Sequence, residues 1–282
     1  MKKILIIGST STVGISAGRL LSQNYNVFYA GRQKADYLMD LNSISLELPD
    51  DLQFDIVIHV AADFGGNKEE NFRQTELVNA IGTMNVCQLA KRVKAEHLIV
   101  ISSISASYRL GDAYYSIYSL SKKHADELAQ LFCSQFYLPL TILRPSQLYD
   151  AESKCRKHQG LFYLMIDNAQ NRMDTFFYGK NDALRNYLFL DDFSEIIARV
   201  VRKKVTGLFN CPSLRPARLS EIAQTAYSVF NHTGNIHFIE NKPTIPDIHV
   251  DLSRELYEKI NFEPTTSLDE GIRKIKYARE IM

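Results

Sequence analysis

Two sets of residues in this chain have the types and spacing to do chemistry. Tyr118-Ser-Leu-Ser-Lys122 is the one YxxxK pattern present, and Ser102-Ser103 stand upstream of it. On a helix, Tyr118 and Lys122 lie one turn apart on the same face. A phenol ionises near pH 10 in water, too high for a base at neutral pH, and a nearby ammonium favours the phenolate. A serine hydroxyl alongside holds and polarises a substrate oxygen. Together these groups suit hydride chemistry at a carbonyl. The alkoxide left by reduction needs a proton, and the reverse reaction needs a base. Tyr118 is expected to exchange the proton, Ser103 to hold the carbonyl oxygen, and Lys122 to tune the phenol and reach a nicotinamide ribose. Ser102 is the alternative register.

The second set is Gly8-Ser9-Thr10-Ser11-Thr12-Val13-Gly14, which follows a short apolar run. A tight turn at Gly8 leading into a helix would turn the backbone amides of Thr10, Ser11, Thr12 and Val13 toward a pyrophosphate. Gly14 would let the helix approach the strand. Ser11 stands where such loops carry a middle glycine, so its side chain either crowds the phosphates or donates to them. Dinucleotide sites that take NAD place an acid at the end of the second strand. This chain has Gly31-Arg32, and a guanidinium suits a 2′-phosphate. NADP(H) is therefore favoured over NAD(H).

These residues need a scaffold, and the hydrophobic pattern supplies one. Strands are expected at residues 3–7, 26–30, 55–61, 97–102 and 140–143. Helices are expected at 13–21, 75–93 and about 118–136. Such alternation predicts an α/β fold with a parallel sheet covered on both faces. Ligands then gather beyond the carboxyl ends of the strands, where Gly8, Arg32, Ala61-Ala62, Ser102-Ser103 and Pro145 all fall. Past about residue 150 the pattern is less regular, with helical stretches at 161–173, 193–203 and 219–230. The expected division is a cofactor domain over 1–150 and a substrate-binding portion over 151–282, from which some segments return to the first domain.

The composition excludes other classes. Among 282 residues, 33 Lys+Arg balance 32 Asp+Glu, which argues against binding nucleic acid or anionic lipid through bulk charge. No apolar run nears the roughly 18 residues of a membrane span, and the apolar start is too short for a signal peptide. Cys87, Cys133, Cys155 and Cys211 are scattered thiols, pointing to the cytoplasm. The seven histidines show no ligand spacing, so no metal is expected.

The order of these motifs resembles the extended short-chain dehydrogenases/reductases, in their NAD-dependent epimerase/dehydratase group. Asp55-Ile-Val-Ile-His59-Val-Ala61-Ala62 is similar to that family's strand ending in a paired-alanine turn. Asn79-Ala-Ile-Gly82-Thr83-Met-Asn85 is similar to its NxxGTxN helix. Leu143-Arg144-Pro145-Ser-Gln147-Leu-Tyr149 resembles RPxNVYG, with Gln147 for Asn. Arg185-Asn-Tyr187-Leu-Phe-Leu-Asp191-Asp192 resembles RDFxxVxD, and Pro264-Thr-Thr-Ser267-Leu268-Asp-Glu270-Gly271 resembles the closing PxxSLxEG. The resemblance implies a Rossmann-type doubly wound sheet with a smaller C-terminal α/β portion that binds a nucleotide sugar. It also implies a cofactor contact to adenine at Asp40-Leu41, and further cofactor contacts at Ala61, Ala62 and Pro145. Gln147 and Arg185 become the implied contacts to the sugar and its phosphates, and a homodimer built from the 75–93 helix and the Tyr118 helix is implied.

Departures from the family pattern narrow the reaction. Ile104-Ser105 follow Ser103 where dehydratases carry an Asp-Glu pair. Ile104 also stands where ring-epimerising reductases carry a Cys, and it cannot move a proton. The segment between Arg32 and Asp40 is short, as in reductases of 4-keto-6-deoxy sugars. The leading expectation is NADPH-dependent reduction of a nucleotide-linked 4-keto sugar. A nucleotide-sugar 4-epimerase with retained cofactor is the alternative, and an NADP(H)-binding redox-sensing protein is the non-enzymatic one.

Overall fold

In the computed structural model, residues 1–44, 46–49 and 51–281 are described. In chain order the elements are β1 (Lys3–Ile7), α1 (Thr12–Leu21), β2 (Asn26–Gly31), β3 (Tyr37–Leu38), β4 (Ile56–His59), α2 (Glu69–Glu76), α3 (Gly82–Arg92), β5 (His97–Ile101), α4 (Ile117–Gln135) and β6 (Leu140–Pro145). There follow β7 (Gln147–Tyr149), α5 (Gly160–Gln170), β8 (Thr175–Tyr178), β9 (Leu184–Arg185), β10 (Tyr187–Phe189), α6 (Leu190–Lys203), β11 (Gly207–Cys211), β12 (Ala217–Arg218), α7 (Leu219–Val229), β13 (Ile236–Ile239), α8 (Glu255–Ile260) and α9 (Leu268–Ile281).

The chain forms two compact units. The first comprises Met1–Pro145, Ser194–Cys211 and Glu255–Phe262; the second comprises Ser146–Phe193, Pro212–Arg254 and Glu263–Met282. In the first unit, seven parallel strands run in the order β11-β6-β5-β4-β1-β2-β3. The chain winds outward from β1 through β2 to β3, then restarts on the other side of β1 with β4. A crevice therefore opens between the carboxyl ends of β1 and β4, the switch point at which open α/β sheets bind ligands.

Near-continuous apolar strands make this sheet parallel and doubly covered. Leu5, Ile7, Val57, Leu98 and Val100 point to one face, where they pack with Val86, Leu89 and Ala90 of α3 and Ala129 and Phe132 of α4. Each such fully buried aliphatic contributes about 1.5–3 kcal/mol. On the opposite face Ile6 meets α1, and Gly14 and Gly18 let that helix close onto it.

The sheet begins as the sequence predicts, but the helix expected over 75–93 differs. It starts earlier, as α2, and one wide turn at Leu77–Ile81 separates α2 from α3. Such π-turns insert an extra residue and commonly mark functional sites. Here the wide turn contains Asn79, which is 1% exposed.

The second unit has its own core, in which Tyr149, Phe162, Tyr163, Phe177, Phe189 and Ile222 are buried together. Its strands form three two-stranded ladders, β10-β7, β12-β9 and β13-β8. No helix among the described residues is long and apolar enough to cross a membrane.

Candidate active site

The turn after β1 has the shape of a phosphate cradle. Gly8 adopts φ +122°, and a Cβ there would stand 2.8 Å from the Ala61 nitrogen and from Val60 Cγ2. Only glycine permits both that dihedral and that approach. The amides of Val60 and Ala61 both donate to the Ile7 carbonyl, which fixes the β4 end against β1. Ser11 is the N-cap of α1, and its Oγ accepts from the Gly14 amide at 3.4 Å. Its expected effect on the phosphates is thus secondary to capping, and its hydroxyl proton is still available for donation. No acidic residue stands in the first turn of α1, which keeps the positive helix end open to an anion. Thr10 is exposed, Thr12 and Val13 are half-buried, and Gly14 is packed under the loop. A pyrophosphate fits this set.

At the end of β2, Gly31 lies over Ser9, whose hydroxyl donates to the Gln33 carbonyl at 2.5 Å. Arg32 is exposed just beyond. Asp40 is exposed, with its carboxylate accepting from the Asn42 amide, while Leu41 is buried against Gly82 of α3. Ala61 and Ala62 are half-buried after β4, and Pro145 closes β6.

The candidate catalytic groups converge beyond β5. Ser103 caps a short 3-10 turn at Ile104–Ser107. Its Oγ accepts from the Ser105 hydroxyl at 2.9 Å and from the Ser105 amide at 3.2 Å. With both lone pairs engaged, its proton is left for the Tyr118 phenol, to which it is hydrogen-bonded. Sequence reasoning passed over Ser105, because an ordinary serine in a loop carries no signal. Ser102 has a different neighbour. It is 4% exposed, and its hydroxyl lies beside the Asp126 carboxyl and lowers that group's pKa.

Ser116 caps α4, which carries Tyr118 and Lys122. The Lys122 ammonium, 2% exposed, donates to the Ile101 carbonyl at 2.8 Å. Burial lowers its pKa to about 8, against the pull of Asp126 in the other direction. Tyr118 departs from expectation. Burial pushes its phenol up to about 12, with Ser103 pulling down and Asp126 pushing up. Desolvation of the phenolate is the largest of these effects. The group is a protonated acid at neutral pH.

Behind them lies a buried charge network. Asp126, one turn beyond Lys122, is 1% exposed and pairs with Arg144 of β6, Nε to Oδ2 at 2.7 Å. Burial nevertheless raises the Asp126 pKa. An acid on the apolar face of α4, at i+4 from a candidate catalytic lysine, was the signal that could have disclosed this pair. His59 ends β4 at 1% exposure, with Nε2 3.1 Å from the Thr83 hydroxyl. Because Thr83 donates to the Asn79 carbonyl, Nε2 carries the imidazole proton. Burial, reinforced by the Lys122 charge, drops this histidine to about 3 and keeps it neutral. Phe64, in the loop after β4, stacks on the Tyr118 ring with centroids 5.1 Å apart.

In the second unit, Gln147 donates through Nε2 to Gln159 at 3.0 Å, while its buried Oε1 has no partner among the described residues. Arg185 is 4% exposed, and its Nη1 donates to the Leu184 and Pro246 carbonyls at 2.7 and 2.8 Å.

The arrangement has counterparts. The NAD dependent epimerase/dehydratase family matches residues 4–211. The chain belongs to that family. Protein CapI of Staphylococcus aureus is 24% identical over 327 residues, spanning 96% of either chain. Among solved structures sharing the family fold, UDP-N-acetylglucosamine 4-epimerase from Bacillus cereus superposes with a TM-score of 0.83 at 18% identity, covering 99% of this chain and 100% of that one. RMD from Pseudomonas aeruginosa, complexed with NADPH, gives 0.79 at 15% identity over 100% of both. As a family member the chain is an enzyme that uses a pyridine nucleotide. The cradle of Gly8, Gly14 and the α1 amides, together with the Ser103, Tyr118 and Lys122 set, is the candidate site for such chemistry.

Proposed function

We propose that this enzyme reduces the 4-keto group of a nucleotide-linked sugar, with NADPH as reductant. The observation that carries this reading is Arg32, exposed at the end of β2, where an NAD site would hold an acid and where a guanidinium suits the 2′-phosphate of the phosphorylated dinucleotide. Tyr118, its phenol hydrogen-bonded to Ser103, is the group that would give the proton that reduction requires. The dinucleotide, held by the Gly8–Gly14 loop, would supply the hydride. Tyr118 would then protonate the alkoxide, Ser103 would turn its hydroxyl proton from the phenol to the same oxygen, and the Lys122 ammonium would stabilise the phenolate left behind. Gln147 and Arg185 are the proposed sugar and phosphate contacts.

A second reading is 4-epimerisation of a UDP-sugar with retained cofactor. It is favoured by the higher TM-score to the Bacillus cereus 4-epimerase. A homodimer through α2–α4 is also proposed, since Phe72, Ile81 and Leu131 are 53%, 48% and 67% exposed there; light scattering measures it.

Purified protein incubated with NADPH and nucleotide-linked 4-keto-6-deoxyhexoses should consume the reduced-nicotinamide absorbance. No consumption with any nucleotide carrier, alongside interconversion of UDP-sugars without added cofactor, would replace the reductase reading with the epimerase one.

A further inference from the structure

We propose that Phe64 is a positioning residue for Tyr118, an aromatic cover that fixes the plane of the phenol and keeps one of its faces dry. The inference rests on the reading of Tyr118 as the proton-transfer group. Its basis is the construction of the loop that follows β4.

Phe64 is 52% exposed, so core burial does not account for its position. Its ring lies 14° from parallel with that of Tyr118, at a centroid separation of 5.1 Å, within the range of offset aromatic stacking. The backbone on either side is clamped by buried polar groups. Asn79 Oδ1 accepts from the Asp63 amide at 2.8 Å, and its Nδ2 donates to the Asp63 carbonyl at 2.7 Å and to Ser121 Oγ at 2.9 Å. Thr75 donates to the Asp63 carboxylate at 2.8 Å, which also accepts from the Gly65 amide. Thr75, Asn79 and Ser121 are each at most 1% exposed.

The chain then turns sharply at Gly65, φ +73°, where a Cβ would stand 2.8 Å from Ile117 Cγ2 and 3.5 Å from the Tyr118 nitrogen. The loop is thus laid on the first turn of α4. The wide turn at Leu77–Ile81 aims Asn79 at the loop, and Ser121, adjacent to Lys122, ties the same asparagine to the catalytic helix. Two buried polar side chains, Thr75 and Asn79, hold a loop whose tip makes an aromatic stack on the reactive phenol, and Ser121 braces Asn79.

Several ionisable and polar groups surround that phenol. Lys122 and Asp126 lie on its own helix, Ser103 comes from the turn after β5, and Arg144 of β6 neutralises Asp126. Asp63, beside Phe64 in sequence, directs its carboxylate to Thr75 and Gly65. None of these is altered by changing Phe64, so that change isolates the cover.

The test uses full-length protein labelled with [ζ-13C]tyrosine and free of added ligand, with the Tyr118 resonance identified by its loss in Tyr118→Phe. At pH 10.5 the unaltered protein should keep Tyr118 un-ionised. Phe64→Ala should move its resonance toward the phenolate position, reflecting a midpoint about one unit lower and nearer the ordinary phenol value of about 10. Phe64→Trp should restore the un-ionised signal, and the upfield ring-current shift of the Tyr118 ring protons should vanish in Phe64→Ala but persist in Phe64→Trp. If Phe64→Ala does not fold, Phe64→Leu serves, because it also removes the ring plane. An unmoved Tyr118 in the truncated variant, or an equal shift in Phe64→Trp, would overturn the proposal. Because no substrate or cofactor enters the measurement, its failure is distinct from failure of the reductase reading.

Discussion

Arg144→Met should expose how much the chain depends on the charge network behind the catalytic helix. The substitution keeps an apolar stem in β6 but removes the partner of Asp126, whose side chain is 1% exposed and whose Oδ1 makes no hydrogen bond among the described residues. Removing one member of a buried pair costs about 3–5 kcal/mol, since the remaining charge is neither solvated nor paired. At roughly 2 °C per kcal/mol for a chain of this size, the melting temperature should fall by about 6–10 °C. The loss should also depend on pH. Burial already raises Asp126 above the ordinary carboxylate range, and Arg144, Ser102 and Lys122 oppose that rise. A carboxyl raised in the folded state binds a proton more tightly there than in the unfolded chain. Its protonation favours folding, and stability declines as pH climbs from the unfolded value of about 3.9 through the folded one. Removing Arg144 raises the folded value further, so the deficit should be smaller at pH 5 than at pH 8 and grow as pH climbs through the folded values. Urea melts at both pH values measure this, and adding Asp126→Asn to Arg144→Met should recover much of the loss at pH 8. An equal loss at both pH values, or one below about 1 kcal/mol, would refute the reasoning.

Three other expectations concern turnover and cofactor choice. Tyr118→Phe should lower kcat by about 10²–10⁴-fold while leaving dinucleotide affinity within about threefold, as calorimetry alongside steady-state assay would measure. In the reducing direction, kcat/KM should decline above about pH 8 as the buried Lys122 ammonium loses its proton, and Lys122→Arg, which stays charged, should lack that limb. Arg32→Glu should weaken NADPH binding by about 10–100-fold, the equivalent of losing about 1.5–3 kcal/mol of charge-assisted hydrogen bonding, with NADH binding not weakened.

Much of the cofactor sheet was legible in the sequence because its signals are local. The apolar run of β1, the Gly8–Gly14 turn and the i,i+4 placement of Tyr118 and Lys122 are each contained in one short segment. The wide turn at Leu77–Ile81 was not legible, because an extra residue in one helical turn leaves the surrounding apolar periodicity almost unchanged. The pairing of β8 with β13 was equally hidden, since two four-residue strands far apart in sequence recognise each other only after the intervening chain has folded. At the site, residue types disclosed the candidate donors but not what tunes them. The high phenol pKa of Tyr118 comes from burial, and burial beside Phe64, Ser103 and Asp126 is a property of the assembled fold.

The discontinuity of the first unit bears on how the protein is made. The outermost sheet strand, β11, comes from residues 207–211 and pairs with β6, whose own residues end at Pro145. During synthesis, β6 therefore emerges with an apolar, unpaired edge that stays open while the ribosome adds the chain between them. At roughly 5–20 residues per second, that interval lasts several seconds. Exposed strand edges of this kind invite pairing between nascent chains. The nascent protein is thus vulnerable to aggregation after α4 is complete but before the last strand of the seven-stranded sheet arrives, and chaperone demand should peak in that window.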